Sequence, residues 1–179
     1  MQNIIEETLD KATMKHFQEG KTWYTKLNRY CRELGELYNQ PTWKVTAIMS
    51  ALSPRTSFAN NVHDTEALLR DGKNAKLKSP LFFKKAIAIY DAKCYNEVRE
   101  MFSEKTGRKT LSFWENLMLV GNRTTIDTHM LQLFDMKGSL TPKKYREMEQ
   151  SIQEYADKIG LKAYDLQAIL WVIQRGEAF

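Results

Sequence analysis

Hydrophobic side chains recur at intervals of three and four positions along most of the chain, which is the spacing of one face of an α-helix. Trp23, Leu27, Leu34 and Leu37 show this spacing among charged residues. Single Gly, Pro or Ser residues separate such stretches, and no alternation of hydrophobic and polar residues with a hairpin turn predicts a β-strand. We therefore expect an all-α fold of about nine or ten short helices.

Capping and helix-breaking residues predict where these helices begin and end. Gly20 is expected to end the first helix, and Ser57 is expected to cap the fourth. Thr141 and Gly160 are expected to delimit the longest of the later helices. The expected helices cover residues 3–18, 22–38, 41–52, 58–70, 81–91, 109–119, 125–133, 142–159 and 163–175.

The composition is that of an ordinary globular protein and excludes several classes of site. Of 179 residues, 42% are hydrophobic and 27% charged, and no Gly- or Pro-rich linker divides them, so we expect a single unit over 1–179. The two cysteines, Cys31 and Cys94, are too few for a disulfide framework, a four-cysteine zinc site or a four-cysteine iron–sulfur cluster. The three histidines form no close pair, so we expect neither a metal nor another cofactor.

Sequence signals for nucleotides, serine hydrolysis and membranes are absent too. The chain contains no G-x-x-x-x-G-K-[ST], G-x-G-x-x-G or G-x-S-x-G motif. Its apolar runs are far too short for a membrane span, and its acidic start lacks a signal-peptide pattern, so we expect a cytoplasmic protein without a membrane partner. The net charge of +5 favours a polyanionic partner. Nothing in the sequence fixes the oligomeric state, and a monomer is the simplest expectation.

One segment with candidate chemistry lies where the third predicted helix ends. Residues 48–52 are mostly apolar, Ser53-Pro54-Arg55 breaks the helix, and Asn60 and Asn61 follow. Such a loop can present a cation and small polar groups to a ligand. The alternative interpretation is a helix–loop–helix corner in which the Asn residues only shape the turn.

A second segment combines a basic turn with an acidic residue. Residues 107–110 read G-R-K-T at a predicted helix start, which suits phosphate binding through the backbone and the side chains of Arg108 and Lys109. Residues 126–129 read I-D-T-H and place Asp127 near a helix N-terminus, where the helix dipole favours a carboxylate. The alternative for Asp127 is an N-cap without a further role.

Together the two segments resemble the helix–hairpin–helix (HhH-GPD) superfamily of base-excision DNA glycosylases, the relatives of endonuclease III. That family carries a hairpin ending in G-R-K-T and a V-D-T-H motif, and here Lys109 and Asp127 are 18 residues apart, as in the family. Residues 48–52 are similar to its L-L-S-A-Q motif. A short phage-encoded branch is similar in Trp23-Tyr24, in residues 51–57, and in the stretch from residue 166 to Trp171 near the end.

The resemblance implies a two-lobed helical fold with a cleft between the lobes, in which residues of about 40–135 form the central lobe and the flanking helices form the second. It implies a DNA glycosylase that flips a damaged or modified base from duplex DNA in base-excision repair. Asp127 would be the catalytic carboxylate and Lys109 the nucleophile of an additional lyase activity. The implied DNA contacts are Arg55, Lys105, Gly107, Arg108 and Arg123. The implied base pocket or wedge comprises Leu52, Ser53, Asn61, Trp23, Tyr24, Gln167 and Trp171.

The chain departs from the family pattern at several points. The family hairpin reads L-P-G-V-G, whereas residues 103–107 read S-E-K-T-G, so the hairpin is expected to be reshaped. Leu52 stands where many relatives have a DNA-probing Gln. The C-terminal cysteine cluster is missing, so no iron–sulfur cluster is expected.

Two other functions fit the same residues. One is a phage-type enzyme that modifies DNA bases on this scaffold and transfers the captured intermediate rather than hydrolysing it; such a protein would work in the host cytoplasm. The other is a non-catalytic DNA-binding module that keeps the hairpin without a working pocket. The surroundings of Asp127 separate these cases, because a carboxylate among Trp23, Tyr24 or Trp171 favours chemistry and one in bulk water favours binding alone.

Overall fold

The computed structural model describes residues 1–104 and 107–176, and in these ranges the chain forms helices and loops without a β-strand. The predicted all-α class is confirmed. Ten α-helices occur in the described residues: α1 (Gln2–Asp10), α2 (Met14–Leu37), α3 (Thr42–Leu52), α4 (Phe58–Asp71), α5 (Phe83–Asp91), α6 (Tyr95–Glu100), α7 (Arg108–Leu117), α8 (Thr128–Leu133), α9 (Pro142–Ile159) and α10 (Ala163–Arg175). In the same ranges, no helix is long and apolar enough to cross a membrane.

Several predicted helix ends are confirmed because local side-chain chemistry determines them. The side chain of Ser57 accepts a hydrogen bond from the backbone N–H of Asn60 and caps α4. Thr141 caps α9 in the same way through the N–H of Lys144. Gly160 ends α9 in the left-handed conformation, with φ of 72°.

The predicted first helix over 3–18, ended by Gly20, is wrong. The chain leaves α1 at Lys11 and starts α2 at Met14. Thr13 and His16 mark this start with reciprocal bonds: the N–H of Thr13 donates to His16 Nδ1 (3.2 Å), and the N–H of His16 donates to Thr13 Oγ1 (3.3 Å). Gly20 lies inside α2, at a position where a Cβ would come within 2.5 Å of the Ile169 Cα. It permits close helix packing instead of ending a helix.

The sequence pattern also missed α6, and it extended the next helix to residue 119, whereas α7 ends at Leu117. Tyr95 on α6 packs its ring 5.0 Å from that of Trp114, and Phe102 packs its ring 4.9 Å from the same indole. Aromatic packing therefore orders a stretch that has no clear periodicity of its own. The helix expected within 125–133, beginning around Asp127, starts at Thr128, because Asp127 is its extended N-cap, with φ of −126° and ψ of −169°.

The chain divides into two compact units. The central unit is Leu27–Leu119, and the terminal unit contains Met1–Lys26 and the described residues 120–176. In the central unit α3 is buried from Val45 to its end and packs against α4, α5 and α7. In the terminal unit α10 packs against α1, α8 and α9. The core residues of the terminal unit include Ile5, Ile126, Met130, Met148, Ile152, Leu166 and Leu170.

Candidate functional site

Asp127 is the N-cap of α8 in the terminal unit. Its Oδ1 accepts hydrogen bonds from the backbone N–H groups of His129 (3.0 Å) and Met130 (3.1 Å). These bonds satisfy two of the N–H groups that a helix start leaves without partners. The capping role considered from the sequence is therefore real, and it uses one oxygen of a half-buried carboxylate.

The second oxygen of Asp127 faces the aromatic residues of the terminal unit. Trp171 on α10 donates its indole N–H to Oδ2 at 3.0 Å. Three N–H donors on two helices thus fix the orientation of the carboxylate. A carboxylate that is held by three donors and is still partly accessible is suited to stabilise positive charge that develops on a bound molecule.

The segment that leads into Asp127 is held by buried polar groups. The Tyr145 hydroxyl on α9 donates to the carbonyl of Thr124 (2.7 Å), and the N–H of Ile126 donates to the same hydroxyl (3.3 Å). Asn122 Oδ1 accepts from the N–H of Ala163 at the start of α10 (2.7 Å). The backbone before the carboxylate is therefore attached to both α9 and α10.

Aromatic rings surround the Trp171 side of the carboxylate. The ring centroids of Trp23 and Trp171 are 5.5 Å apart in an edge-on arrangement, and those of Trp23 and Tyr24 are 4.9 Å apart. The Arg175 guanidinium lies 4.5 Å from the Trp171 ring centroid, and the His129 ring lies 6.1 Å from it. Trp171 is half-buried, whereas Trp23 and Tyr24 are buried. We call Trp23, Tyr24 and Trp171 the aromatic cluster.

A buried polar network adjoins the aromatic cluster. The Tyr24 hydroxyl donates to Gln167 Oε1 at 2.8 Å and is also hydrogen-bonded to Thr125 Oγ1 at 3.0 Å. All three residues are buried, and Gln167 is only 4% exposed. Buried polar groups satisfied in this way define one arrangement of the surrounding side chains. The structure thus brings together five of the predicted site residues: Asp127, Trp23, Tyr24, Gln167 and Trp171.

Sequence reasoning missed three contributors to this site. Thr125 precedes the I-D-T-H motif, and only the fold shows that its hydroxyl meets Tyr24. His129 belongs to the motif but received no role. Arg175 follows Trp171 by one helical turn, and that i, i+4 spacing is a signal that could have identified it.

The predicted residues of the first segment lie in the central unit. Leu52 is 1% exposed and packs in the core, so the expectation that it projects as a wedge is not met. Ser53 is half-buried and donates its hydroxyl to the Ser50 carbonyl (2.9 Å). Asn61 is buried within α4. Arg55 is exposed and adopts a left-handed backbone, with φ of 58°.

The G-R-K-T segment also lies in the central unit, where Gly107 is the N-cap of α7. The Gly107 N–H donates to the Ser103 carbonyl, and the Thr110 hydroxyl donates to the Gly107 carbonyl, both at 2.9 Å. Arg108 pairs with Glu104 at 3.3 Å, which offsets part of its charge.

The two other predicted cations that the structure describes lie in different units. Lys109 is half-buried in the first turn of α7. Arg123 is half-buried in the terminal unit. Lys105 lies outside the described residues. Within the described ranges, no group of three or more His, Cys, Asp or Glu residues could hold a metal ion.

Comparison with known proteins gives a family but no described activity. Neither the curated proteins nor the solved structures yielded a match. A family model described as a family of unknown function, DUF7178, matches residues 1–178. The chain therefore belongs to the DUF7178 family.

Proposed function

We propose that this protein is a DNA glycosylase that cleaves the N-glycosidic bond of a flipped base with the help of Asp127. The observation that carries the proposal is the carboxylate itself: two backbone N–H groups hold Oδ1, and the Trp171 indole holds Oδ2 beside the aromatic cluster. A capping residue needs only the first pair of contacts. The third contact and the half-buried position support a chemical role.

The chemistry follows from where charge develops. As the base leaves with the electron pair of the glycosidic bond, the sugar acquires oxocarbenium character, and a fixed carboxylate stabilises that positive charge. Water then adds to the anomeric carbon, and the Asp127 carboxylate accepts the proton that the water loses. The anionic base takes up a proton from solvent, and Asp127 returns its own proton to solvent. The enzyme therefore needs no metal or cofactor for hydrolysis.

The substrate base has to leave the helical stack before it can react. Trp171 is the most accessible member of the aromatic cluster and would stack on the extruded base, with its position supported by the edge-on contact with Trp23. Gln167, fixed by the Tyr24 hydroxyl, would contribute to base recognition. The DNA backbone would be held by Arg55, Lys105, Gly107, Arg108 and Arg123. The two-lobed arrangement of the helix–hairpin–helix glycosylases is part of this proposal.

The proposed activity is tested with duplex DNA that carries defined modified and damaged bases. Chromatography of the released bases reports glycosidic cleavage, and strand breaks before and after alkali separate lyase from hydrolase activity. Lys109 as a nucleophile predicts a borohydride-trappable covalent complex that Lys109→Ala abolishes. Transfer of a group to the DNA without base release would favour the base-modifying alternative, and binding without either product would favour a DNA-binding module.

A further inference from the structure

A buried carboxylate in the central unit fixes a basic loop, residues 73–79, that the proposed function leaves without a role. Asp64 on α4 is 1% exposed. Its Oδ1 accepts the backbone N–H of Lys78 and its Oδ2 accepts that of Ser79, both at 2.8 Å. Hydrogen bonds to a charged acceptor are stronger than neutral ones, so the backbone of this loop is well anchored. The Lys78 side chain meanwhile remains exposed.

The same loop is attached to the turn that carries Arg55. The side-chain oxygens of Thr56 and Ser79 are hydrogen-bonded at 2.7 Å. Arg55 directly precedes Thr56, and Lys78 directly precedes Ser79. Arg55 and Lys78 are therefore each adjacent in sequence to the Thr56–Ser79 contact that joins the two loops. The two cations thus lie on neighbouring parts of the surface.

The cations of these loops are not neutralised within the described part of the chain. Arg55, Lys76 and Lys78 are exposed, and none forms an ion pair with a described residue. Lys73, which precedes Lys76 and Lys78 in the basic loop, differs from them because it pairs with Asp91 at 2.9 Å. The carboxylate of Asp64, which anchors the basic loop, is buried and accepts hydrogen bonds from the backbone N–H groups of that loop. We call Arg55, Lys76 and Lys78 the basic surface.

We propose that the basic surface binds the phosphate backbone of nucleic acid, separately from the G-R-K-T segment. Its cations are spread over two loops and are exposed, as expected for contacts to several phosphates along a strand. A site for one free phosphate would instead need buried donors that converge on a point. This inference rests on the proposed function for its choice of DNA as the ligand, and it extends the DNA contacts to Lys76 and Lys78.

The test compares two triple variants with the same change in net charge. The first is Arg55→Gln/Lys76→Gln/Lys78→Gln. The matched control, Lys11→Gln/Lys93→Gln/Lys137→Gln, removes three exposed lysines elsewhere. Binding to an undamaged duplex is measured over a range of salt concentrations, and circular dichroism checks that the helical content is retained.

Each lost phosphate contact lowers the log–log salt slope by about 0.9. The basic-surface variant is therefore expected to lose roughly 2 to 3 from the slope and to bind at least about tenfold more weakly at low salt, whereas the control stays close to wild type. Lys78→Gln alone should lower the slope by about 1. Equal slopes and affinities in the two triple variants would overturn the inference, as would full competition by millimolar inorganic phosphate at constant ionic strength.

The same measurements distinguish failure of this inference from failure of the proposed function. If wild-type protein releases a base but loss of the basic surface leaves the salt slope unchanged, the inference fails and the glycosylase proposal stands. If wild-type protein binds DNA through the basic surface but releases no base from any substrate, the inference stands and the glycosylase proposal fails. Absence of DNA binding by the wild-type protein would overturn both.

Discussion

Trp171 donates its indole N–H to Oδ2 of Asp127 across 3.0 Å, and so joins the last described helix to the first turn of α8. The opposite oxygen of the carboxylate caps that turn through two backbone N–H groups. The Asp127 side chain therefore stabilises the start of α8 and also binds Trp171 of the aromatic cluster. Substitutions at Asp127 must consequently separate the capping contribution from the chemical one.

The first prediction concerns the energy of the contact between Trp171 and Asp127. Trp171→Phe removes the N–H donor and keeps an aromatic ring, so the free energy of unfolding should fall by about 1–2 kcal/mol. A double-mutant cycle with Asp127→Ala, measured by urea denaturation, should give a coupling energy of about 1 kcal/mol. A coupling energy near zero would mean that the contact contributes nothing to stability.

The second prediction concerns the close packing of α2 at Gly20. A Cβ at this position would lie 2.5 Å from the Ile169 Cα and 2.6 Å from the Ile169 N, so Gly20→Ala must push backbone apart. We expect a loss of about 1–3 kcal/mol in the free energy of unfolding, although Ala is the better helix former. Thr25→Ala, at an exposed position of the same helix, is the control and should be neutral or slightly stabilising. Equal stability of the two variants would refute the tight packing.

The third prediction concerns the two thiols. Burial raises the pKa of Cys31 from 9.0 to about 12, so its thiol stays protonated and unreactive in the folded protein. Cys94 is exposed. A thiol-specific reagent at pH 8 should therefore modify one cysteine rapidly in the native protein and both in denaturant. Rapid loss of both thiols from the native protein would contradict the buried position of Cys31.

The raised pKa of Cys31 also gives stability a pH dependence with a defined sign. The folded state holds this proton more tightly than the unfolded chain, so the contribution is complete below about pH 9 and is lost as the pH rises towards 12. The difference in unfolding free energy between wild type and Cys31→Ala should shrink over this interval. A difference that stays constant with pH would contradict the prediction.

The sequence predicted those parts of the fold that local chemistry determines. Ser57 and Thr141 bond to N–H groups within their own helix starts, so pattern and structure agree at both. The prediction for Gly20 is wrong because the close contact that requires a glycine there is with Ile169, which is distant in sequence. Leu52 lies in the last turn of α3 and is buried like the residues before it. A comparison of motifs does not take this burial into account.

Prediction of the site shows the same division between local and distant contacts. Asp127 could be placed at a helix start from its position before α8. Its contact with Trp171, by contrast, joins residues 44 positions apart. No periodicity connects residues so distant in sequence, and only the resemblance to a family placed both of them in one site. The role of Thr125 could not be predicted because its partner, Tyr24, is 101 positions away in the sequence.

The central claim is tested most directly by the single-turnover rate of base release from a duplex that the wild-type protein processes, measured for wild type and Asp127→Asn. The amide oxygen of asparagine can still cap α8, at the cost of the hydrogen bond from Trp171, so the fold and DNA binding should persist. Loss of the negative charge should remove about 3 kcal/mol of transition-state stabilisation and slow base release at least about a hundredfold. Base release by Asp127→Asn at the wild-type rate would contradict the mechanism and leave Asp127 as a helix cap.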